Sequence, residues 1–306
     1  VFFPMAATFI TYGSNLCYKI IIEQKDKRFL KDTFGHYVAP QLIDEMYESK
    51  KMPELGGESG IRTAFFSDVE SFSRISSQLS ASQLVELLNE FLSAQTDIIL
   101  EHRGTLDKYE GDAILAFFGA PIFFENHAEQ ALIATVNLFD NLEKLKIKWQ
   151  KEGDKWPDIV HNMNMRVGIN TGEMVTGNMG SKQHMNYTMM GEVVNLAARL
   201  ESGAKLYGVY FLTTYDTLVE AGIEKFEWRY VDRTIFIGFD KWFQTVEILG
   251  FKGKIHQDEI TMVNIYQKGL EAFYNRKWED AIKCFKESEK HETIRHNKNI
   301  NPSVIY

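Results

Sequence analysis

The sequence has little cysteine: only Cys17 and Cys284 occur in 306 residues, and they lie far apart. That scarcity argues against a disulfide framework and favours a reducing compartment. The chain also lacks an excess of basic residues. Its net charge of -8 argues against nucleic-acid binding, because a polyanionic partner needs a basic surface. A small anionic substrate stays open, since a bound metal or a local cluster reverses the field. A clearly sufficient membrane-spanning run is missing too. Val1–Tyr18 carries no charge, but its eighteen residues sit at the lower limit for crossing a bilayer. Thr8, Thr11, Gly13, Ser14 and Asn15 dilute it, so a buried or partner-contacting helix competes with a membrane reading. Lys19, Lys25, Lys27, Arg28 and Lys31 follow at once, as the positive-inside rule expects of a cytoplasmic exit. The first residue is Val rather than Met, and residues 1–18 read as the end of a transmembrane helix that starts outside this chain. The expectation is a cytoplasmic portion tethered to the inner membrane.

A composition of 44% hydrophobic and 25% charged residues fits a folded globular chain, with one sizeable domain and smaller additions at its ends. Residues 19–34 read as a charged helix with an apolar stripe at Ile20, Ile21, Leu30 and Phe34, suited to a parallel dimer neck within a 19–55 linker. Pro40 breaks that run, a short helix follows over 41–48, and Pro53–Gly57 is a loop. The core opens on the strand Arg62–Asp68. A helix over 72–79 comes next, then a long one with Ser82 as its N-cap, reaching about His102. Gly111-Asp112 between two strand-like runs reads as a hairpin. Further helices are expected at 126–150 and 192–205. Further strands are expected at 163–170, 174–177, 209–213, 226–231 and 245–249. The fold class this implies is α+β, a mixed sheet with helices packed on it. From Met262 to Lys290, Gly269, Leu270, Phe273, Trp278, Ala281, Ile282 and Phe285 resemble one tetratricopeptide-like helical hairpin. A lone unit of that kind must cover its apolar face against the core, a protein partner or further repeats. An ordinary terminal hairpin accounts for the pattern equally well.

Two acids, Asp68 and Asp112, stand where a strand meets a turn. Taken singly, either is as well explained as a solvated turn residue. Brought together they repel each other unless a cation lies between them, and magnesium is the usual occupant at phosphoryl-transfer sites. Asn195 and Arg199 are four apart on an expected helix and share one face, where an amide and a guanidinium can orient a ribose and a phosphate. A capping Asn and a surface ion pair are the alternative. Arg166, inside an apolar strand, calls for a partner, and a salt bridge is the simplest one.

In combination these residues resemble the class III nucleotidyl cyclase family over about residues 56–250. Asp68 and Phe72 match its first motif, with Ser71 where the family usually has Gly. Lys108-x-x-Gly111-Asp112 completes the second. Met165–Gly172 matches the third, and Gly191-x-x-x-Asn195-x-x-x-Arg199 completes the fourth. The resemblance implies a ferredoxin-like, palm-type sheet and an adenylyl cyclase that converts ATP to cyclic AMP and pyrophosphate. It implies two Mg2+ per site, with Mn2+ as a substitute, held by Asp68, Asp112 and Val69. Phe72, Ser73 and Arg166 then meet the phosphates, while Asn195 and Arg199 stabilise the transition state. Lys108 and Thr188 read the adenine, Lys108 donating to N1 and Thr188 accepting from the N6 amino group. Guanylyl cyclases of the family carry Glu where Lys108 stands. A Lys/Thr pair is typical of a bacterial-type branch that includes bicarbonate-responsive enzymes. The family's site is composite: Asp68, Asp112 and Arg166 come from one subunit and Lys108, Thr188, Asn195 and Arg199 from its twin, so a homodimer is implied. One departure stands out. Ile237 and Phe239 flank Gly238 where the family has lysines, one of which contacts the triphosphate, and Lys241 is the nearest substitute. A guanylyl cyclase, or a cyclase-like module with little turnover, remains as an alternative.

Overall fold

Alternation along the strands decides this fold. In the computed structural model, residues 12–16, 18–19, 25, 54–292 and 302–305 are described, and Gly56–Tyr306 form one compact unit. Most of the expected neck, the helix at 41–48 and most of the expected membrane segment lie outside the described residues. Residues 12–16 and 18–19 are helical. Among the described residues no helix is long and apolar enough to cross a membrane.

In chain order the elements of the compact unit are β1 (Gly56–Val69), α1 (Phe72–Ser76), α2 (Ala81–Glu101), β2 (Gly104–Glu110), β3 (Ala113–Phe118) and α3 (His127–Lys151). A short helix α4 (Asp158–His161) leads to β4 (Met165–Ser181), β5 (His184–Met190), α5 (Glu192–Tyr207), β6 (Phe211–Thr214) and α6 (Tyr215–Ala221). Then come β7 (Phe226–Thr234), β8 (Phe243–Phe251), α7 (Gln257–Tyr274), α8 (Trp278–Glu292) and the single turn α9 (Pro302–Ile305). The strands form one mixed sheet in the order β2-β3-β1-β4-β6-β8-β7, with β5 paired to the far half of β4. Only the β4–β6 pair is parallel; every other pair is antiparallel.

Strand residues point alternately to the two faces. On β1, Phe65 and Val69 enter the larger core beneath α2 and α3, with Met165, Val167 and Ile169 of β4 beside them. Ala64 and Phe66 point the other way, toward Val194 and Ala197 of α5. The α3 sequence carries Ala128, Ala131, Leu132, Thr135, Leu138, Leu142, Leu145 and Trp149 inward at helical spacing, which lays the helix along the sheet. Each fully buried side chain such as Phe65 or Trp149 contributes roughly 2–3 kcal/mol of burial. The expected α+β class, with a mixed sheet and helices packed on it, is the observed one.

Three local expectations need correction. The N-cap of α2 is Ser80, not Ser82: the Ser80 hydroxyl accepts from the Gln83 amide at 3.3 Å, and the Gln83 side chain accepts from the Ser80 amide at 3.0 Å. That reciprocal pair outcompetes Ser82 because it satisfies two orphan groups rather than one. The two strands expected at 163–170 and 174–177 are one strand, β4, because it pairs with β1 continuously from Val69–Met165 to Gly56–Asn178. Gly172 does not break it. Strand β5 and helix α6 were absent from the sequence reading: β5 is mostly polar at its exposed end, and α6 is only seven residues long.

The C-terminal helices α7 and α8 form an antiparallel hairpin in which Gly269 lets Phe285 and Cys284 approach closely. The pair seats on β7 through Tyr266, whose hydroxyl donates to the Val231 carbonyl at 3.0 Å. Beneath that contact Arg229 of β7 donates to Glu247 of β8 at 2.6 Å and, with two nitrogens, to Glu292 of α8 at 2.5 and 3.2 Å.

Candidate active site

The same alternation that builds the core places Asp68 and Arg166 on the α5 face of the sheet. They are direct register partners across β1 and β4. The Arg166 guanidinium donates to Asp68 at 2.8 Å and to Glu201 of α5 at 3.3 Å, with Glu70 at 4.0 Å. Helix α5 reaches this depth because Gly168 has no side chain: a Cβ there would stand 2.2 Å from the Glu201 amide nitrogen. The two-residue turn Gly111-Asp112, opened by the positive φ of 67° at Gly111, delivers Asp112 to the end of β1. The Val69 amide donates to Asp112 at 3.0 Å and holds it there.

The cluster carries more negative than positive charge. Asp68, Glu70 and Glu201 surround one buried guanidinium, and Asp112 stands beside Asp68. Burial and the adjacent Asp68 carboxyl push Asp112 up to about 6. Burial, with Asp68 nearby, also raises Glu201. Two carboxylates held this close suit a divalent cation, which would relieve the repulsion that raises Asp112. Among the described residues no group of three or more His, Cys, Asp or Glu converges on a metal position, so water or substrate phosphate would complete the shell.

The remaining candidate residues lie outside this cluster. Lys108 is on edge strand β2 with its ammonium 3.9 Å from Glu110 and about half exposed. Thr188 of β5 donates to Asp107 at 2.6 Å. Asn195 and Arg199 are exposed one turn apart on α5, without hydrogen-bonded or ion-paired side chains among the described residues. At about 100° per residue, Arg199 points roughly 160° away from Glu201 and Asn195 roughly 120° away. The two residues therefore face away from the Arg166 cluster of their own protomer. Phe72 opens α1 and packs against the main core, while Ser73 beside it is exposed. Ser71, the N-cap of α1, takes a left-handed φ of 57°, which costs a non-glycine residue about 1 kcal/mol.

Comparison with known proteins decides the family. Residues 59–241 match the family described as "Adenylate and Guanylate cyclase catalytic domain". The chain belongs to this cyclase family. Adenylate cyclase 1 of Rhizobium meliloti is 32% identical over 185 residues, covering 60% of this chain and 26% of that protein. The terminal-differentiation-specific adenylate cyclase of Dictyostelium discoideum is 26% identical over 269 residues, 86% of this chain and 12% of its own. The chain thus spans a minor part of either relative. Among solved structures, the adenylyl cyclase CyaB from P. aeruginosa superposes with a TM-score of 0.59 at 29% identity, covering 66% of this chain and all of that one. The guanylyl cyclase Cya2 gives 0.56 at 28% identity, covering 66% and 98%. Domains of this family bind nucleotide, work as dimers and generally depend on a divalent metal.

For this cyclase domain, the predicted site residues fall into two groups. Asp68, Val69, Asp112 and Arg166 meet at one end of the sheet; Thr188 is joined to Asp107, next to Lys108 on β2, and Asn195 and Arg199 lie exposed on α5. Ile237 is 84% exposed, Phe239 packs against the small cluster under α5, and the Lys241 ammonium sits 5.2 Å over the Phe243 ring. Two residues escaped the sequence reading. Glu201 carries no motif signal, although it stands two residues past Arg199. Asp107 had one: a carboxylate inside an otherwise regular strand pattern, directly before Lys108.

Proposed function

We propose that this cyclase domain is an adenylyl cyclase that closes ATP to cyclic AMP and pyrophosphate at sites shared by two copies of the chain. The observation that carries the reading is the paired carboxylates, Asp68 and Asp112, with Asp112 pushed up to about 6 by burial and by its neighbour. Mg2+ bound there, with Mn2+ as a substitute, would activate the ribose 3′-hydroxyl and offset charge on the leaving pyrophosphate. Val69 would supply a backbone carbonyl beside those carboxylates, and Phe72 and Ser73 the backbone next to the phosphates. Arg166, released from Asp68 when the carboxylate takes up its cation, would bind the terminal phosphates. Lys108 donates to adenine N1 and Thr188 accepts from N6, a pattern guanine does not offer. Asn195 and Arg199 would orient the ribose and offset charge on the α-phosphate. They face away from their own carboxylates, which is why the reading requires a twofold partner to supply them. The N-terminal segment would anchor this assembly to the inner membrane, and the α7–α8 hairpin is a candidate surface for a protein partner.

A weakly active cyclase is the second reading, favoured by Ile237 and Phe239 at the positions of expected lysines. Cyclic nucleotide formation by purified protein, with ATP and GTP side by side and Mg2+ or Mn2+ present, tests both. Cyclic AMP that disappears with Asp68→Ala supports the first reading. Cyclic GMP alone, or no product with either metal, refutes it.

A further inference from the structure

A hydroxyl is an ambiguous reader of a base. Thr188 has one proton to give and two lone pairs to receive with, so in isolation it can accept from the N6 amino group of adenine or donate to the O6 of guanine. A threonine at this position therefore does not by itself exclude GTP. What removes the ambiguity lies 81 residues earlier in the chain: the Thr188 hydroxyl donates to Asp107 at 2.6 Å, short for a hydroxyl–carboxylate bond and typical of a charge-assisted one.

We propose that Asp107 is a specificity-determining positioning residue, which captures the only proton of Thr188 and leaves that hydroxyl able solely to accept, so that it takes adenine and refuses guanine. The inference deepens the adenylyl cyclase reading and rests on it. Three features of the fold support the assignment. The β2–β3 ladder is interrupted between the Leu106–Ala116 and Lys108–Leu115 pairs, leaving Asp107 as the extra residue of a bulge. Bulges re-aim side chains, and here the acid turns toward β5 while Lys108 follows it on the same edge strand. Thr188 needs no such contact to hold its place, because β5 is already pinned to β4 by a continuous ladder in which Thr188 faces Gly177. Finally, the carboxylate is half-buried, so water competes poorly for the hydroxyl proton. Asp107 would touch no substrate atom; it acts through Thr188.

The decisive measurement is the ratio of kcat/KM for GTP to that for ATP in the wild type, Asp107→Ala, Thr188→Val and the double variant. With Asp107 gone, the Thr188 hydroxyl is free to rotate and donate to guanine O6. The ratio is expected to rise about tenfold, the scale of one hydrogen bond gained or misdirected. In the Thr188→Val background the same Asp107→Ala change should move the ratio by under about twofold, since no hydroxyl remains to be oriented. Asp107→Asn, whose amide can still accept from Thr188 but can also donate to it, should fall between. If Asp107→Ala slows both nucleotides equally and leaves the ratio unchanged, Asp107 merely braces β2 and the proposal is wrong. An equal rise in the Thr188→Val background overturns it as well. Should the wild type make no cyclic AMP, the adenylyl cyclase reading fails on its own. The proposal is then judged by the same ratio taken from the Kd values of ATP and GTP, with the same expected and overturning outcomes.

Discussion

Arg166 and Arg229 are both strand residues set among carboxylates, yet their surroundings differ in a way that separates a candidate site from a structural clamp. Arg229 is fully buried, and its two acidic partners, Glu247 and Glu292, are 3% and 2% exposed. Its nitrogens are paired at 2.5–3.2 Å, the Tyr266 ring lies 5.0 Å from the guanidinium carbon, and Ser303 adds a 3.0 Å bond to Glu292. Arg166 is only slightly more exposed, but Asp68 and Glu70 beside it are 35% and 29% exposed and its contacts stretch to 4.0 Å. One network is closed and satisfied. The other opens toward solvent and holds surplus negative charge beside Asp112. The same ion-pair chemistry can thus fasten two elements together or wait for a cationic and phosphate-bearing guest, and what distinguishes the cases is whether every carboxylate is already paired.

The sharpest way to break this comparison is to truncate each arginine. Arg229→Met strands two buried carboxylates, and the fold should lose about 3–5 kcal/mol in denaturant unfolding. Arg166→Met leaves partly hydrated acids behind, so the loss should stay near 1 kcal/mol. If Arg166 binds the terminal phosphates as proposed, turnover should fall on the order of a hundredfold or more with Arg166→Met. Equal destabilisation by the two substitutions would collapse the distinction.

A second test uses glycine. At Gly168 an added methyl would strike backbone, 2.2 Å from the Glu201 nitrogen and 2.3 Å from the Ala197 carbonyl. At Gly269 it would meet the edge of the Phe285 ring at 2.8 Å and Cys284 Cβ at 3.0 Å. Gly168→Ala should cost about 2–3 kcal/mol in thermal or chemical unfolding and depress turnover by shifting Glu201 from Arg166. Gly269→Ala should cost about 1 kcal/mol less, since a ring can tilt, and should leave turnover per folded molecule unchanged.

The open cluster should respond to pH near neutrality, alongside buried His127, which burial and the nearby Arg62 lower to about 4. The Asp112 carboxyl sits higher in the fold, at about 6, than its ordinary 3.8, so the folded state holds the proton more tightly. Its contribution to stability is full below pH 3.8 and is lost as pH rises through 6. Asp112 is part-exposed, and solvent screening limits the effect to about 1 kcal/mol. The melting temperature of the wild type relative to Asp112→Asn should therefore fall from pH 4 to 7, a difference in which the opposite trend of His127, common to both proteins, cancels. Added Mg2+ should recover the difference at pH 7.

How much of this was legible in the sequence follows from the range over which each signal acts. Asp68, Asp112, Lys108, Asn195 and Arg199 stand out as candidates because short-range motifs fix their types and spacings. The β1 strand and the 127–151 helix were found because apolar residues recur at the right period. Asp107 and Glu201 were missed because their partners, Thr188 and Arg166, lie 81 and 35 residues away, and nothing local marks such a pairing. The extent of β4 was misjudged for a related reason. Gly172 looks like a break from within its own segment, yet its place is secured by Arg62 opposite it on β1.

Ile237 offers the smallest expected effect and the cleanest question about how complete the open site is. Its side chain is 84% exposed and supports no packing, so Ile237→Lys should leave the melting temperature within about a degree. The nearest native ammonium, on Lys241, is drawn over the Phe243 ring at 5.2 Å, which gives it a competing partner. An added lysine without such a partner can extend toward a triphosphate seated between two subunits. Because nothing pre-orders its long side chain, the gain should be modest, about 1 kcal/mol or a few-fold in kcat. That gain should vanish in an Asp68→Ala background, where no productive triphosphate is held. An Ile237→Lys variant that changes neither kcat nor KM would mean that the site tolerates an apolar residue here without loss. Weak phosphate contact would then no longer be a reason to expect slow turnover.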